Sequence, residues 1–302
     1  MTATSDAFPA PAAPAPRLAR TRPFFWSVRR ELWENRAIYL APLVAAAVVL
    51  FGVVLGHTTS HQIIIQPRSM HPTVLPPILP YAIAAGAIML TGTIVGVFYC
   101  LAALNAERRD RSVLFWKSLP VSDLTTVLSK ALIPALVLPV ATLAVVFATH
   151  LLMLGMDLAA ISLRGASVAD FLADLPLGQM WLDLAYGMVL LAFWWAPVWG
   201  WLLLASAWSK RMTFLWGVGP PLAICLVERM AFGSDYAWKL LGWRLLGGIG
   251  PGFTTPPREN GVELPWPDPM PFLASPGLWI GLVVAAAFLA GAVWLRRRRE
   301  PI

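Results

Sequence analysis

Apolar and polar positions fall along this chain in long blocks, not in the short alternations of a half-buried sheet. Six blocks, at about residues 37–56, 78–104, 131–155, 184–208, 212–231 and 278–295, are almost wholly apolar. Crossing a hydrocarbon core of roughly 30 Å takes about 20 apolar residues in a helix. Backbone groups in lipid must be satisfied within their own segment, which favours helices. A membrane barrel would alternate over about ten residues per strand, and these blocks do not alternate. The pattern predicts an all-α membrane protein with six transmembrane helices. Gly217, Gly219, Pro220 and Pro221 interrupt the fifth block, so a kinked or broken helix is expected there.

The stretches between the blocks have their own patterns. From 23 to 36 a helical arrangement puts Phe24, Phe25, Trp26, Val28, Leu32 and Trp33 on one broad face, with Ser27, Arg30, Glu31 and Glu34 on the other. Arg29 and Arg36 interrupt the apolar side, but long basic side chains snorkel. This predicts a helix lying in the membrane interface. Residues 1–22, rich in Ala and Pro, suit a disordered tail. They do not read as a signal peptide, because a polar segment separates their basic residues from the first apolar run. Residues 23–302 read as one transmembrane domain. In the second block Gly92 and Gly96, preceded by Ala85 and Gly86, form a small-residue stripe that lets helices approach closely. The partner is either a helix of the same chain or a second copy.

Composition sharpens the membrane reading. The chain is 58% hydrophobic and only 13% charged, with mean hydropathy +0.67, against about 25% charged residues in a soluble domain. The net charge of +7 and pI near 9.9 could suggest nucleic acid, but the positions point elsewhere. Arg17, Arg20, Arg22, Arg29, Arg30 and Arg36 precede the first block; Arg108, Arg109, Arg111, Lys117 and Lys130 lie between the second and third. Lys210 and Arg211 sit between the fourth and fifth, and Arg296 to Arg299 follow the sixth. The alternate loops are poorer in basic residues for their length. Basic residues collect on the cytoplasmic side, so both termini and the 105–130 loop are expected in the cytoplasm. Cys100 and Cys225 fall in the apolar blocks and read as small core residues.

The loop from Glu107 to Asp123 is the most distinctive polar stretch. It sets Val113, Leu114, Phe115, Trp116 and Leu119 among dense charge. A charged surface with aromatic anchors suits docking of a soluble protein; the alternative is that the aromatics rest on lipid headgroups. The candidate docking residues are Glu107, Arg108, Arg109, Asp110, Arg111, Phe115, Trp116, Lys117, Leu119 and Pro120. Ser122 is placed to cap the next helix, with Asp123 in its first turn, and Pro134 and Pro139 are expected to bend that helix. The other long stretch, 232–277, is expected on the opposite side, with Ser234 capping a short Trp-rich helix and a possible re-entrant course.

Candidate chemistry is sparse. His57, His61 and His71 lie in the first outer loop, without a neighbouring carboxylate or an HExxH pattern. His150 reads as a buried polar residue hydrogen-bonded inside the bundle. The second, fourth and sixth blocks carry no acid, base or histidine at depth, which an intramembrane enzyme or ion-coupled carrier needs. A phosphate-binding GxxxxGK[ST] loop is missing from the sequence.

The run Arg109-Asp-Arg-Ser-Val-Leu-Phe-Trp-Lys-Ser-Leu-Pro-Val-Ser-Asp123, followed by Thr126-Val-Leu-Ser-Lys130, is similar to that of bacterial permease subunits of ABC-2 type transporters. The run covers a small part of the chain; the predicted topology, with its interfacial helix and six spans, resembles that family over nearly all of it. The resemblance implies that 107–120 is a coupling helix seated in a separate ABC ATPase subunit. It also implies a second permease chain, identical or related, around a central path in the bacterial inner membrane. ATP and Mg would be held by the partner, with no cofactor or metal in this chain. It further implies a re-entrant region before the last span, within 232–277. Two other classes compete: a membrane-integral metal enzyme using His57, His61, His71 and Asp157, and a scaffold that docks a partner without transport.

Overall fold

A computed structural model describes residues 21–59, 77–109, 121–248, 250–254 and 266–298. The chain begins with α1 (Thr21–Glu34), breaks at Asn35–Arg36, and enters α2 (Ala37–Thr59). There follow α3 (Leu79–Ala103), a short α4 (Asn105–Arg109), α5 (Asp123–Leu132), a π-helical turn (Ile133–Val137) and α6 (Leu138–Leu163). Next come α7 (Val168–Ala173), α8 (Leu177–Trp194), α9 (Ala196–Trp208), α10 (Thr213–Phe232) and α11 (Tyr236–Gly242). A two-stranded ribbon, β1 (Phe253–Thr254) with β2 (Trp266–Pro267), pairs Phe253 opposite Pro267. Then α12 (Pro269–Leu273) leads to the last helix, α13 (Pro276–Arg298). Among the described residues, six helices are long and apolar enough to cross a membrane. The chain is a multi-pass, all-α membrane protein.

Several helices differ in detail from the apolar blocks. The third span starts at Asp123, where the Ser122 hydroxyl accepts from the Thr125 amide at 3.1 Å, and continues to Leu163. Pro134 lacks the N–H a regular turn needs. The helix passes it through the π-helical turn, in which the Leu138 amide bonds Ile133 O. The fourth candidate span covers Val168–Trp194, and its long helix α8 begins at Leu177, earlier than the apolar block. It is interrupted at Trp195: the Trp195 amide still reaches Leu191 O at 2.8 Å, but Pro197 cannot continue the ladder, and α9 restarts beside it.

The fifth span removes one of the two forms expected of it, the broken helix. Despite Pro220 and Pro221, α10 is not broken; it runs from Thr213 to Phe232. Pro221 leaves the carbonyl four residues earlier, on Gly217, without a donor. The Trp201 indole N–H of α9 supplies one, at 2.7 Å. A neighbouring helix thus satisfies the group that the proline frees.

Helices α2, α3 and α6 pack together, α9 packs on α3 and along α13, and α10 leans on α9. One core cluster joins Ile38, Tyr99, Leu104, Val127, Ile133, Leu203 and Ala292; another joins Tyr81, Ile88, Val146 and Met153. Large apolar side chains also remain exposed around the bundle, including Val48, Phe51, Ile83, Leu90, Ile224 and Val283. Such a girdle is what a lipid-facing surface requires. Arg30 of α1 and Arg296 of α13 meet the same carboxylate. The first and last described helices therefore close at one end of the bundle, called here the basic end.

Candidate functional site

The amphipathic α1 turns its polar face inward. Glu31 is 2% exposed, and Val28 and Leu32 pack on the core cluster, while Phe25, Trp26 and Trp33 face out. The Arg29 guanidinium lies over the Trp26 and Trp33 rings, at 5.1 and 4.8 Å from their centroids. Cation–π contact of this kind holds an arginine on an otherwise apolar face.

Inside, Glu31 meets a set of charges brought from three other helices. Its Oε1 accepts from Lys130 Nζ at 2.7 Å and Arg30 Nη2 at 3.0 Å, and its Oε2 from the Tyr99 hydroxyl at 2.9 Å. Glu107, on α4, receives Arg30 Nη2 at 2.7 Å and lies 3.1 Å from Lys130 Nζ on one oxygen. Its other oxygen receives Arg296 Nη1 of α13 at 2.6 Å. Arg296 Nε also donates to Asp123 Oδ1 at 3.0 Å, in the first turn of α5. Three cations thus interlock with three carboxylates. The side chains of Lys130 and Glu31 are each 3% exposed, so water does little to screen them. An ion removed from such a set strands its partners in low dielectric, a cost of about 3–5 kcal/mol.

The same end is clamped by neutral bonds. Ser206 Oγ of α9 accepts from the Leu104 and Asn105 amides and donates to Leu101 O. Asn105 Nδ2 donates to Ser209 O at 2.6 Å, and Arg108 Nη1 to Ala207 O at 2.9 Å. These carbonyls close the C-terminus of α9, where a cation is favoured. Of the sequence-predicted docking residues, Glu107 and Arg108 are therefore buried pins within the chain, whereas Arg109 is exposed. Asp110, Arg111, Phe115, Trp116, Lys117, Leu119 and Pro120 lie outside the described residues.

Gly92 and Gly96 are both buried by neighbours in the same chain. A Cβ on Gly92 would stand 2.6 Å from Thr142 Oγ1, and one on Gly96 3.1 Å from Leu138 and Trp199. Cys100 and Cys225 are both buried, as expected of core residues.

At the opposite end the polar contacts are mostly uncharged. His150, fully buried, takes the Trp181 indole proton on Nδ1 at 3.0 Å and faces Tyr81 O through Nε2 at 3.0 Å. The indole is only a donor, which fixes the Nε2–H tautomer. The Tyr81 hydroxyl donates to Asp157 at 2.6 Å. His61 and His71 lie outside the described residues, as does the side chain of His57. Among the described residues no three His, Cys, Asp or Glu side chains gather closely enough to hold a metal.

Two expectations change here. Ser234 does not cap the helix after α10; its hydroxyl donates instead to Glu228 Oε1 at 2.5 Å. The Glu228 carboxylate caps α11 by accepting the Tyr236 and Ala237 amides, because Gly233, at φ +63, turns the chain back over it. The fourth span also does carry an acid. Starting at Leu177, α8 includes Asp183, and both its carboxylate oxygens are enclosed without a hydrogen-bond partner.

No family model, curated protein or solved structure matches the chain.

The buried cluster escaped the pattern reading because its members were counted singly. Lys130 and Arg296 served as markers of sidedness, and Glu31 as part of the polar face of the first helix. The available signal was that Lys130 and Arg296 each directly adjoin an apolar block, where an unpaired charge is costly.

Proposed function

We propose that this chain is the membrane-spanning subunit of an ATP-driven exporter of the ABC-2 type, working with a separate ATPase. One observation carries the reading: Glu107 and Asp123, at either end of the 107–123 segment, both hold Arg296 of the last span. Through Arg30 and Lys130 the same contacts reach α1 and the third span. A push on that segment therefore meets a rigid joint between first helix, third span and last span, and not a loose tether.

In this reading the basic end faces the cytoplasm of a bacterial inner membrane, in line with its basic residues. The segment from Arg109 to Pro120 seats in the ATPase. Closure of the ATPase pair on ATP rocks the spans as packed bodies, and the path forms against a second permease chain. The sparse charge of the spans leaves the energy source to the partner.

Co-expression with a neighbouring cytosolic ATPase and purification through a tag on the permease tests this. The wild type is expected to retain the ATPase and stimulate its turnover. Trp116→Ala with Arg111→Glu is expected to lose both. Retention of association and transport by that double variant would sink the coupling role.

A further inference from the structure

A groove of about 320 Å³ opens on the flank of the bundle between α9, α10 and α13, near the basic end. Its walls are Trp201, Leu204, Trp208, Trp216, Pro220 and Trp294. Gly291 leaves its part of the lining without a side chain, and a Cβ there would meet Leu204 Cδ1 at 3.2 Å. Trp201 spends its only donor on Gly217 O, so it presents hydrocarbon to the groove. Trp208, Trp216 and Trp294 are each about half exposed.

The mouth of this apolar groove is basic. The Arg298 guanidinium stands over the Trp294 ring, 4.5 Å from its centroid. Lys210 and Arg211 form the exposed turn that joins α9 to α10, beside Trp208 and Trp216. Among the described residues no carboxylate pairs with Lys210, Arg211 or Arg298. The contrast with Arg296 is sharp: two residues earlier on α13, it is buried and held by Glu107 and Asp123. Arginine at this helix end is thus divided between an inward cluster and an outward, unbalanced rim.

We infer that the groove holds an acyl chain of an anionic phospholipid, with its phosphate among Arg298, Lys210 and Arg211. Aromatic side chains favour the headgroup boundary, and basic pockets between spans there recognise anionic headgroups. The volume lies at the lower end of that of small-molecule sites, which suits a chain segment better than a bulky ligand. A second copy of the protein fits less well. A twofold contact through this face would bring the same three cations against themselves. The inference stands whether or not the chain serves an exporter.

The test uses the full chain in phosphatidylcholine nanodiscs, titrated with dibrominated phosphatidylglycerol or dibrominated phosphatidylcholine. The part of the tryptophan quenching that is lost when Trp208, Trp216 and Trp294 are replaced by Phe reads occupancy of the groove. The anionic lipid is expected to quench at a mole fraction at least about tenfold lower than the zwitterionic one. Arg211→Gln with Arg298→Gln should reduce that preference about fivefold per charge removed, with an unchanged melting temperature, since both side chains are exposed. Raising the salt should weaken the preference of the unaltered chain in the same direction. Equal quenching by the two lipids, or full preference in the double variant, would overturn the proposal. So would a disulfide between two copies through Trp294→Cys, which would place a second chain in the groove.

Discussion

At the basic end, six ionised side chains from α1, α4, α5 and α13 bond one another. At the opposite end, the bundle is pinned by an imidazole held between an indole and a carbonyl. There both carboxylate oxygens of Asp183 are enclosed without a hydrogen-bond partner among the described residues. A buried polar group needs a partner, and, Asp183 excepted, the two ends meet that need differently. The basic end gathers opposite charges until they balance. The opposite end relies on neutral groups, for which desolvation costs less. Balanced charges make a joint that is specific in geometry and expensive to break one member at a time. That suits the place where a chain would receive a mechanical push.

Breaking the basic end should give the largest effect. Glu107→Gln leaves Arg30, Lys130 and Arg296 facing one another, and a loss of about 3–5 kcal/mol is expected, read as unfolding in mixed detergent micelles. Combined with Arg296→Gln the loss should fall well short of the sum of the two single changes, since each removes what the other strands. Strict additivity would show that the cluster does not act as a unit.

The opposite end should cost less. His150→Ala removes the acceptor of Trp181 and the donor to Tyr81 O, for about 2–4 kcal/mol. A thermal melt should also show unchanged salt dependence, because no charge is involved. Between the ends, Gly92→Leu forces a side chain against Thr142, at about 1–3 kcal/mol. If that change left stability intact but abolished self-association, Gly92 would belong to a contact between chains. The smallest change has the opposite sign. Asp183→Leu deletes a partnerless carboxylate, and a gain of about 1 kcal/mol is expected, visible as slower hydrogen exchange along α8. A loss would mean that Asp183 has a partner in the assembled protein.

Much of the fold was legible because bilayer thickness imposes a length and a composition on each span. Six apolar spans were readable, the fourth only in part, as were the helix that precedes the first, the Ser122 cap and the irregularity at Pro134. Helix ends were less legible. Outside hydrocarbon a helix can continue on polar residues, as α8 does through Asp183, and hydropathy does not register them. The unbroken course of α10 was hidden for another reason. The remedy for Pro221 lies on Trp201, twenty positions earlier and on another helix.

The sequence by itself determined where the chain can cross a membrane and which end collects positive charge, because both follow from transfer energies of single residues and segments. Only the tertiary structure decided what those charges do. Arg296 and Arg298 stand two positions apart, equal in every local respect, yet one is locked between Glu107 and Asp123 and the other lies open over Trp294. Their difference comes from the direction each side chain takes off α13 and from what the neighbouring helices present to it. That is pairwise geometry between distant parts of the chain, and no reading of one position contains it.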